Sequence, residues 1–227
     1  MLERTTHDLL ERDAELATVT ELAERARAGQ GGAVFVEGPA GIGKTRLTEA
    51  ALARAATTGL AIAKARCSEL EREFPFGAVR QLLEPLVVAL SEEEREDVVS
   101  GAAALGASVL RDPESRPGET PFAALHGLYW LTANLATRAP LVLAIDDAHW
   151  SDEPSLRFLA YLVKRIDGLP ALALITARPA EPGAGRELLQ ELASDAATRL
   201  VRPAPLSEEA VTELVREALE PDAPASF

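Results

Sequence analysis

The 227 residues suffice for one large α/β domain, or for one domain with part of another. Apolar residues make up 47% of the chain and charged residues 26%, as in ordinary soluble globular proteins. The net charge of −13 and the isoelectric point near 4.8 argue against nucleic-acid binding by this chain, because a phosphate backbone needs a basic surface.

The sequence also argues against several other classes. Cys67 is the single cysteine, which excludes an internal disulfide and a cysteine zinc site. The three histidines show no metal-ligand spacing. No apolar run approaches the roughly 20 residues of a membrane span, and the N-terminus lacks the apolar core of a signal peptide. We therefore expect a cytoplasmic protein without a membrane partner.

Helical and strand patterns alternate along the chain, which predicts a parallel sheet with helices on both faces. In chain order the predicted elements are a helix over 13–28, a strand over 33–37, a helix over 45–56, a strand over 60–65, helices over 76–90, 92–105 and 121–138, a strand over 141–145, a helix from about 152, strands over 171–176 and 198–201, and a helix after Ser207. We read residues 111–121 as an exposed, mobile loop. The fold class is three-layer α/β, with a helical insert between the second and third strands.

Residues 38–45, Gly-Pro-Ala-Gly-Ile-Gly-Lys-Thr, match the phosphate-binding pattern G-x-x-x-x-G-K-[ST] between a strand and a helix. Such a loop directs backbone N–H groups and a helix N-terminus at a polyphosphate. Lys44 would reach the terminal phosphates, and the Thr45 hydroxyl would bind Mg²⁺. The predicted nucleotide contacts are Gly38, Pro39, Ala40, Gly41, Ile42, Gly43, Lys44, Thr45 and Arg46. The alternative is a glycine-rich turn without a ligand.

A second candidate segment is the apolar run over 141–145, which Asp146 and Asp147 follow. Ligands bind at the carboxyl edge of open α/β sheets, so both carboxylates would face the nucleotide. Asp146 would hold Mg²⁺, directly or through water, and Asp147 would orient or deprotonate the attacking water. The alternative is a simple turn at the end of a strand.

A third candidate is Arg178, two residues after Thr176 at the end of the strand predicted over 171–176. At that edge Arg178 would contact the γ-phosphate. The predicted catalytic residues are therefore Lys44, Asp147 and Arg178. The alternative is a surface salt bridge at a strand end.

Together these residues resemble the nucleotide-binding domain of the signal-transduction ATPases with numerous domains (STAND), a branch of the AAA-type P-loop ATPases. The resemblance is greatest to the large ATP-binding regulators of the LuxR family. Residues 146–152, Asp-Asp-Ala-His-Trp-Ser-Asp, are similar to a signature of that group, and residues 74–83 and 205–210 are similar to two further segments. Residues 9–16 are similar to its N-terminal motif, with Glu11 where the family usually has Gly.

The resemblance implies a five-stranded parallel sheet of order 5-1-4-3-2. It also implies that the N-terminal motif lies against adenine, with Leu10 and Arg12 as contacts. Residues 1–205 would form the ATPase domain, and 206–227 the start of a truncated helical lid. The sensor and DNA-binding domains of the family would belong to a full-length protein.

Three functions follow as hypotheses. The first is a switch domain that binds ATP or ADP with Mg²⁺ and hydrolyses ATP slowly. ATP-dependent self-association is a separate expectation about partners. The second is an AAA-type motor or remodelling enzyme that works as an oligomer. Such enzymes usually carry Glu at the position of Asp147, which is one methylene shorter. The third is a nucleotide-free scaffold, against which Lys44, Thr45 and Asp146 argue.

Overall fold

The computed structural model describes residues 9–111, 121–179 and 185–219, and within them one five-stranded sheet. Its strands are β1 (Gly32–Glu37), β2 (Ala61–Arg66), β3 (Leu141–Asp146), β4 (Ala171–Ala177) and β5 (Thr198–Val201). Every neighbouring pair is parallel, and the order is β2-β3-β4-β1-β5. Read from the opposite edge, this is the predicted order 5-1-4-3-2, which is confirmed.

The described helices surround this sheet. They are α1 (Asp13–Arg27), α2 (Lys44–Thr57), α3 (Gly77–Val88), α4 (Glu92–Val98), α5 (Ala103–Arg111), α6 (Pro121–Arg138), α7 (Glu153–Val163), α8 (Arg186–Ser194) and α9 (Glu208–Leu219). Short 3₁₀ turns lie at Glu69–Glu71 and Ala148–Trp150. None of the described helices is long and apolar enough to cross a membrane.

The fold has three layers, because helices cover both faces of the sheet and an apolar core lies between the sheet and the helices on each face. Successive side chains of a strand point to opposite faces of the sheet. Val34, Val142 and Leu174 therefore pack under α1 and α2, while Phe35, Leu143 and Ile175 pack under the helices of the other face. All residues of β3 and β4 are buried, as predicted from their continuous apolar runs.

The helical insert between β2 and β3 differs from its prediction in two ways. The single helix predicted over 92–105 is wrong: α4 ends at Val98 and α5 begins at Ala103, because Gly101 adopts the left-handed region with φ of 58°. The helical spacing of Phe122, Leu125 and Leu128 predicts a buried apolar stripe on α6, but Phe122 is 61% exposed. The loop predicted over 111–121 lies outside the described residues except at its two ends. α8 is a helix that the sequence analysis did not predict.

Helices α5 and α6 cross at two glycines. A Cβ added to Gly127 would lie 2.3 Å from the backbone nitrogen of Gly106, so no side chain fits between the two backbones. We expect Gly127→Ala to lower the free energy of unfolding by about 1–3 kcal/mol, since overpacking must displace one of the two helices. Urea unfolding would measure this change. Ser108→Ala on the exposed face of α5 is the matched control, and equal stability of both variants would contradict the close crossing.

Candidate functional site

The loop between β1 and α2 encloses the side chain of Lys44. Gly41 and Gly43 adopt φ values of 80° and 98°, a region that glycine enters without steric cost. Lys44 is only 7% exposed, and its Nζ donates to the carbonyl oxygens of Gly38 at 2.9 Å and Pro39 at 3.1 Å. The loop therefore curls around an ammonium group at the N-terminus of α2. The N-terminus of a helix also attracts anions through its dipole.

Two hydroxyl groups orient the carboxylate of Asp146 at the end of β3. The Thr45 hydroxyl donates to Oδ2 at 2.9 Å, and the Thr176 hydroxyl donates to Oδ1 at 2.6 Å. The predicted metal pair, Thr45 and Asp146, is thus brought together from residues 101 apart in sequence. A hydroxyl and a carboxylate are hard oxygen ligands, so these donors fit Mg²⁺, which binds through few protein ligands and keeps waters and phosphates.

Thr176 is a site residue that the sequence analysis did not select. It is fully buried, and it accepts a hydrogen bond from the Asp147 N–H at 2.9 Å while it donates to Asp146. The parallel register pairs Ile145 with Ile175, so the next residues of the two strands lie side by side. The sequence pattern that could have identified Thr176 is a polar residue at the end of an apolar strand, when that strand pairs with the one that carries Asp146.

Asp147 leaves β3 with a left-handed backbone, at φ of 56°. Its Oδ1 lies 3.8 Å from His149 Nδ1, and that nitrogen faces the Arg178 N–H at 3.5 Å. Both contacts are to the same ring nitrogen, so the Asp147 carboxylate and the backbone of Arg178 meet at His149. His149 is 14% exposed in its side chain, so it is part of the site and not a surface histidine.

Lys44 and Arg178 share this edge of the sheet. Burial lowers the pKa of Lys44, the carboxylate of Asp147 opposes that shift, and the charge of Arg178 adds to it. The buried Nε of Arg178 finds no hydrogen-bond partner among the residues that the structure describes. A polar group of this kind usually has a partner, so the guanidinium fits a site for an anion.

Three further residues were predicted to contact the nucleotide: Leu10, Arg12 and Arg46. Arg12 is 4% exposed and donates to the carbonyl oxygens of Glu11 at 2.8 Å, Ile42 at 3.3 Å and Ala204 at 2.8 Å. Leu10 is half-buried in the turn before it. The guanidinium of Arg46 lies 3.9 Å from the Glu49 carboxylate, with both side chains about half exposed. The roles of Leu10, Arg12 and Arg46 toward nucleotide stay predictions.

A buried carboxylate connects the acidic segment to the helical insert. Asp152 is 3% exposed, and its Oδ1 accepts from the backbone N–H groups of Phe76 at 2.7 Å and Ser155 at 2.8 Å. Its Oδ2 accepts from the Ala78 N–H at 3.3 Å. Asp152 therefore caps α7 and holds the first turn of α3. Cys67 lies beside this segment, and burial raises the pKa of its thiol to about 12.

The fold and the enclosed lysine define a P-loop nucleoside triphosphatase fold, with the site at the carboxyl edge of its sheet. More narrowly, the chain belongs to the AAA ATPase domain family, whose model matches residues 8–175.

Three known proteins are similar to this chain in sequence or in fold. An uncharacterised protein of Rhizobium meliloti is 29% identical over 202 residues, and the match covers 75% of this chain and 18% of that protein. A STAND protein with a tetratricopeptide repeat sensor from Pyrococcus horikoshii superposes with a TM-score of 0.52 at 16% identity, over 93% of this chain and 25% of that one. Cdc6p from Pyrobaculum aerophilum also superposes with a TM-score of 0.52, at 13% identity, over 94% of this chain and 51% of that one. These structural likenesses show the fold.

Proposed function

We propose that this chain is an ATP-binding switch domain that hydrolyses ATP slowly, within a transcriptional regulator of LuxR type. The observation that carries the proposal is the cluster of Lys44, Thr45 and Asp146 at one edge of the sheet, with donor and acceptor groups suited to a magnesium–polyphosphate complex. The similarity to a STAND protein supports the switch class, and the segment 146–152 supports the LuxR type.

Each side chain of the site has a role in this proposal. The loop amides and Lys44 would bind the β- and γ-phosphates, while Thr45 and Asp146 would hold Mg²⁺. When bound, the metal neutralises charge on the phosphate oxygens. Arg178 would contact the γ-phosphate, because its buried Nε lies at the same edge as Lys44. Leu10 and Arg12 would lie beside the adenine.

Slow hydrolysis follows from the position of Asp147. Its carboxylate is one methylene shorter than the Glu usual in motors, and it lies 3.8 Å from His149 Nδ1. A shorter carboxylate reaches less far toward an attacking water, so proton removal is less efficient. We further propose that residues 1–205 form the ATPase domain and that 206–227 begin a helical lid, with sensor and DNA-binding domains elsewhere in a longer protein.

Phosphate release at increasing protein concentration tests this function. Calorimetric titration first establishes binding of ATP·Mg²⁺ to the chain. For a switch domain we expect a turnover of about 10⁻² s⁻¹ or slower, as in P-loop switches without a partner arginine. The rate per chain should not depend on protein concentration, and Asp147→Asn should lower it without preventing binding.

Two outcomes would contradict the proposal. A rate per chain that rises steeply with concentration, to about 1 s⁻¹ or more, would indicate an oligomeric AAA-type motor whose sites need a neighbouring subunit. A wild-type chain that binds no ATP·Mg²⁺ would refute nucleotide binding itself.

A further inference from the structure

Glu11 has a backbone conformation that an L residue rarely adopts. Its φ is 54°, in the left-handed region where glycine is favoured. A residue with a side chain persists in such a conformation when the surrounding contacts stabilise it, so the contacts of the Glu11 carboxylate need to be known.

The carboxylate of Glu11 binds Ser207, the residue immediately before α9. The Ser207 hydroxyl donates to Oε1 at 2.5 Å, and the Ser207 N–H donates to Oε2 at 2.8 Å. The side-chain bond and then the backbone bond from Ser207 lower the pKa of Glu11. The two residues lie 196 positions apart, so this contact joins the two ends of the described chain.

Ser207 is also the N-cap of α9. Its Oγ accepts from the Ala210 N–H at 3.1 Å, and its carbonyl oxygen accepts from the Val211 N–H at 3.0 Å. Over 211–216, the part of α9 beyond this turn whose side chains the structure describes, apolar attachment is small, because Val211, Leu214 and Val215 are each 42–50% exposed. The position of α9 therefore depends strongly on the hydrogen bonds at its first turn.

The neighbour of Glu11 reaches the phosphate loop. Arg12 donates to the carbonyl oxygens of Ile42 in the loop and Ala204 in the segment before α9. We propose that Glu11 is a positioning residue: it fixes the start of α9 and, with Arg12, couples the position of α9 to the conformation of the phosphate loop. The effect of Glu11 on nucleotide affinity rests on the proposed function, whereas its effect on α9 and on the phosphate loop does not.

Hydrogen exchange in the 227-residue chain, with and without ADP, tests the coupling in the variant Glu11→Gly. This substitution removes the carboxylate and its two hydrogen bonds but also relieves the left-handed backbone, so the two effects offset each other and the Tm should change little. Without nucleotide we expect about fivefold faster exchange at amides 209–212, as for the loss of a helix cap, and faster exchange at amides 40–43 of the loop. The Kd for ADP should rise by a similar factor.

Three further variants sharpen this test. Glu11→Gln keeps an acceptor for one of the two Ser207 donors and should give an intermediate effect. Glu213→Ala, on the exposed surface of α9, removes the same charge without touching Ser207 and should change nothing. The double variant of Glu11→Gly with Ser207→Ala should exchange no faster at amides 40–43 than the faster of the two single variants, because both remove one contact.

The outcomes separate this proposal from the proposed function. Equal exchange at 209–212 in wild type and Glu11→Gly would overturn the positioning role, and faster exchange confined to α9 would overturn the coupling. A fall in Tm with unchanged exchange at both segments would show a structural residue only. If the wild type binds no ADP, the proposed function fails, while exchange without nucleotide still decides the coupling.

Discussion

Lys44→Ala is expected to weaken binding of ATP·Mg²⁺ about 100-fold, because it removes the ammonium group that the loop encloses. Hydrogen bonds to a charged group contribute about 1.5–3 kcal/mol each, and a loss of about 3 kcal/mol corresponds to two powers of ten in Kd. The side chain is 7% exposed and already directed at the loop, so little rearrangement would precede phosphate contact. Calorimetric titration of both proteins would measure the change.

Arg54→Ala is the matched control for Lys44→Ala. Arg54 lies on the exposed surface in the last turn of α2, about 15 Å from Lys44 along the helix. The substitution Arg54→Ala removes one positive charge from the same helix, so a loss of ATP·Mg²⁺ affinity comparable to that of Lys44→Ala would indicate a general effect of charge. Unchanged affinity in Lys44→Ala would contradict the assigned site, provided that circular dichroism shows both variants folded.

Asp152→Ala is expected to lower the free energy of unfolding by about 4 kcal/mol, the largest effect on stability predicted for this chain. The substitution leaves three backbone N–H groups without their acceptor, two of them at the start of α3 and one in the first turn of α7. A lost N-cap costs about 1 kcal/mol, and each buried donor without a partner costs about 1–3 kcal/mol. Urea unfolding at neutral pH would measure the difference.

Asp152→Asn gives a graded comparison on the same site. An amide oxygen in place of Oδ1 still accepts from Phe76 and Ser155, while the amide nitrogen faces the Ala78 N–H. We therefore expect a loss of about 1–2 kcal/mol. Asp97→Ala removes an exposed carboxylate from α4 and should change stability by less than about 0.5 kcal/mol. Equal losses for the alanine and asparagine variants would contradict the three-bond arrangement.

The sequence predicted those parts of the site that are contiguous in the chain. The phosphate loop has its fixed residues within eight positions, and Asp146 directly follows an apolar run, so local patterns suffice for both. The five strands were located for the same reason, since β1, β3 and β4 are short runs of buried residues and β2 and β5 are short, partly buried segments. The order of those strands came instead from the family resemblance, because strand pairing brings together residues far apart in sequence.

The contacts that the sequence did not reveal are those between distant segments. Asp152 and Phe76 are 76 residues apart, and Arg12 and Ala204 are 192 apart, so no local pattern relates them. The break between α4 and α5 had a local signal in Gly101, which an uninterrupted helical pattern on both sides outweighed. α8 is only nine residues long, and its two buried leucines are too few to mark a helix with certainty.

The left-handed backbone at Asp147 limits which substitutions can be interpreted there. Among residues with a side chain, Asn and Asp tolerate this conformation best, since their short polar groups bond locally. Asp147→Asn therefore removes the negative charge and leaves the turn after β3 undisturbed. Alanine or glutamate at the same position would add backbone strain to the chemical change, and the Thr176 hydroxyl that binds the Asp147 N–H would shift with it. Because Thr176 also holds Asp146, a strained residue 147 would disturb the metal ligand, and an altered rate would no longer report on the carboxylate alone.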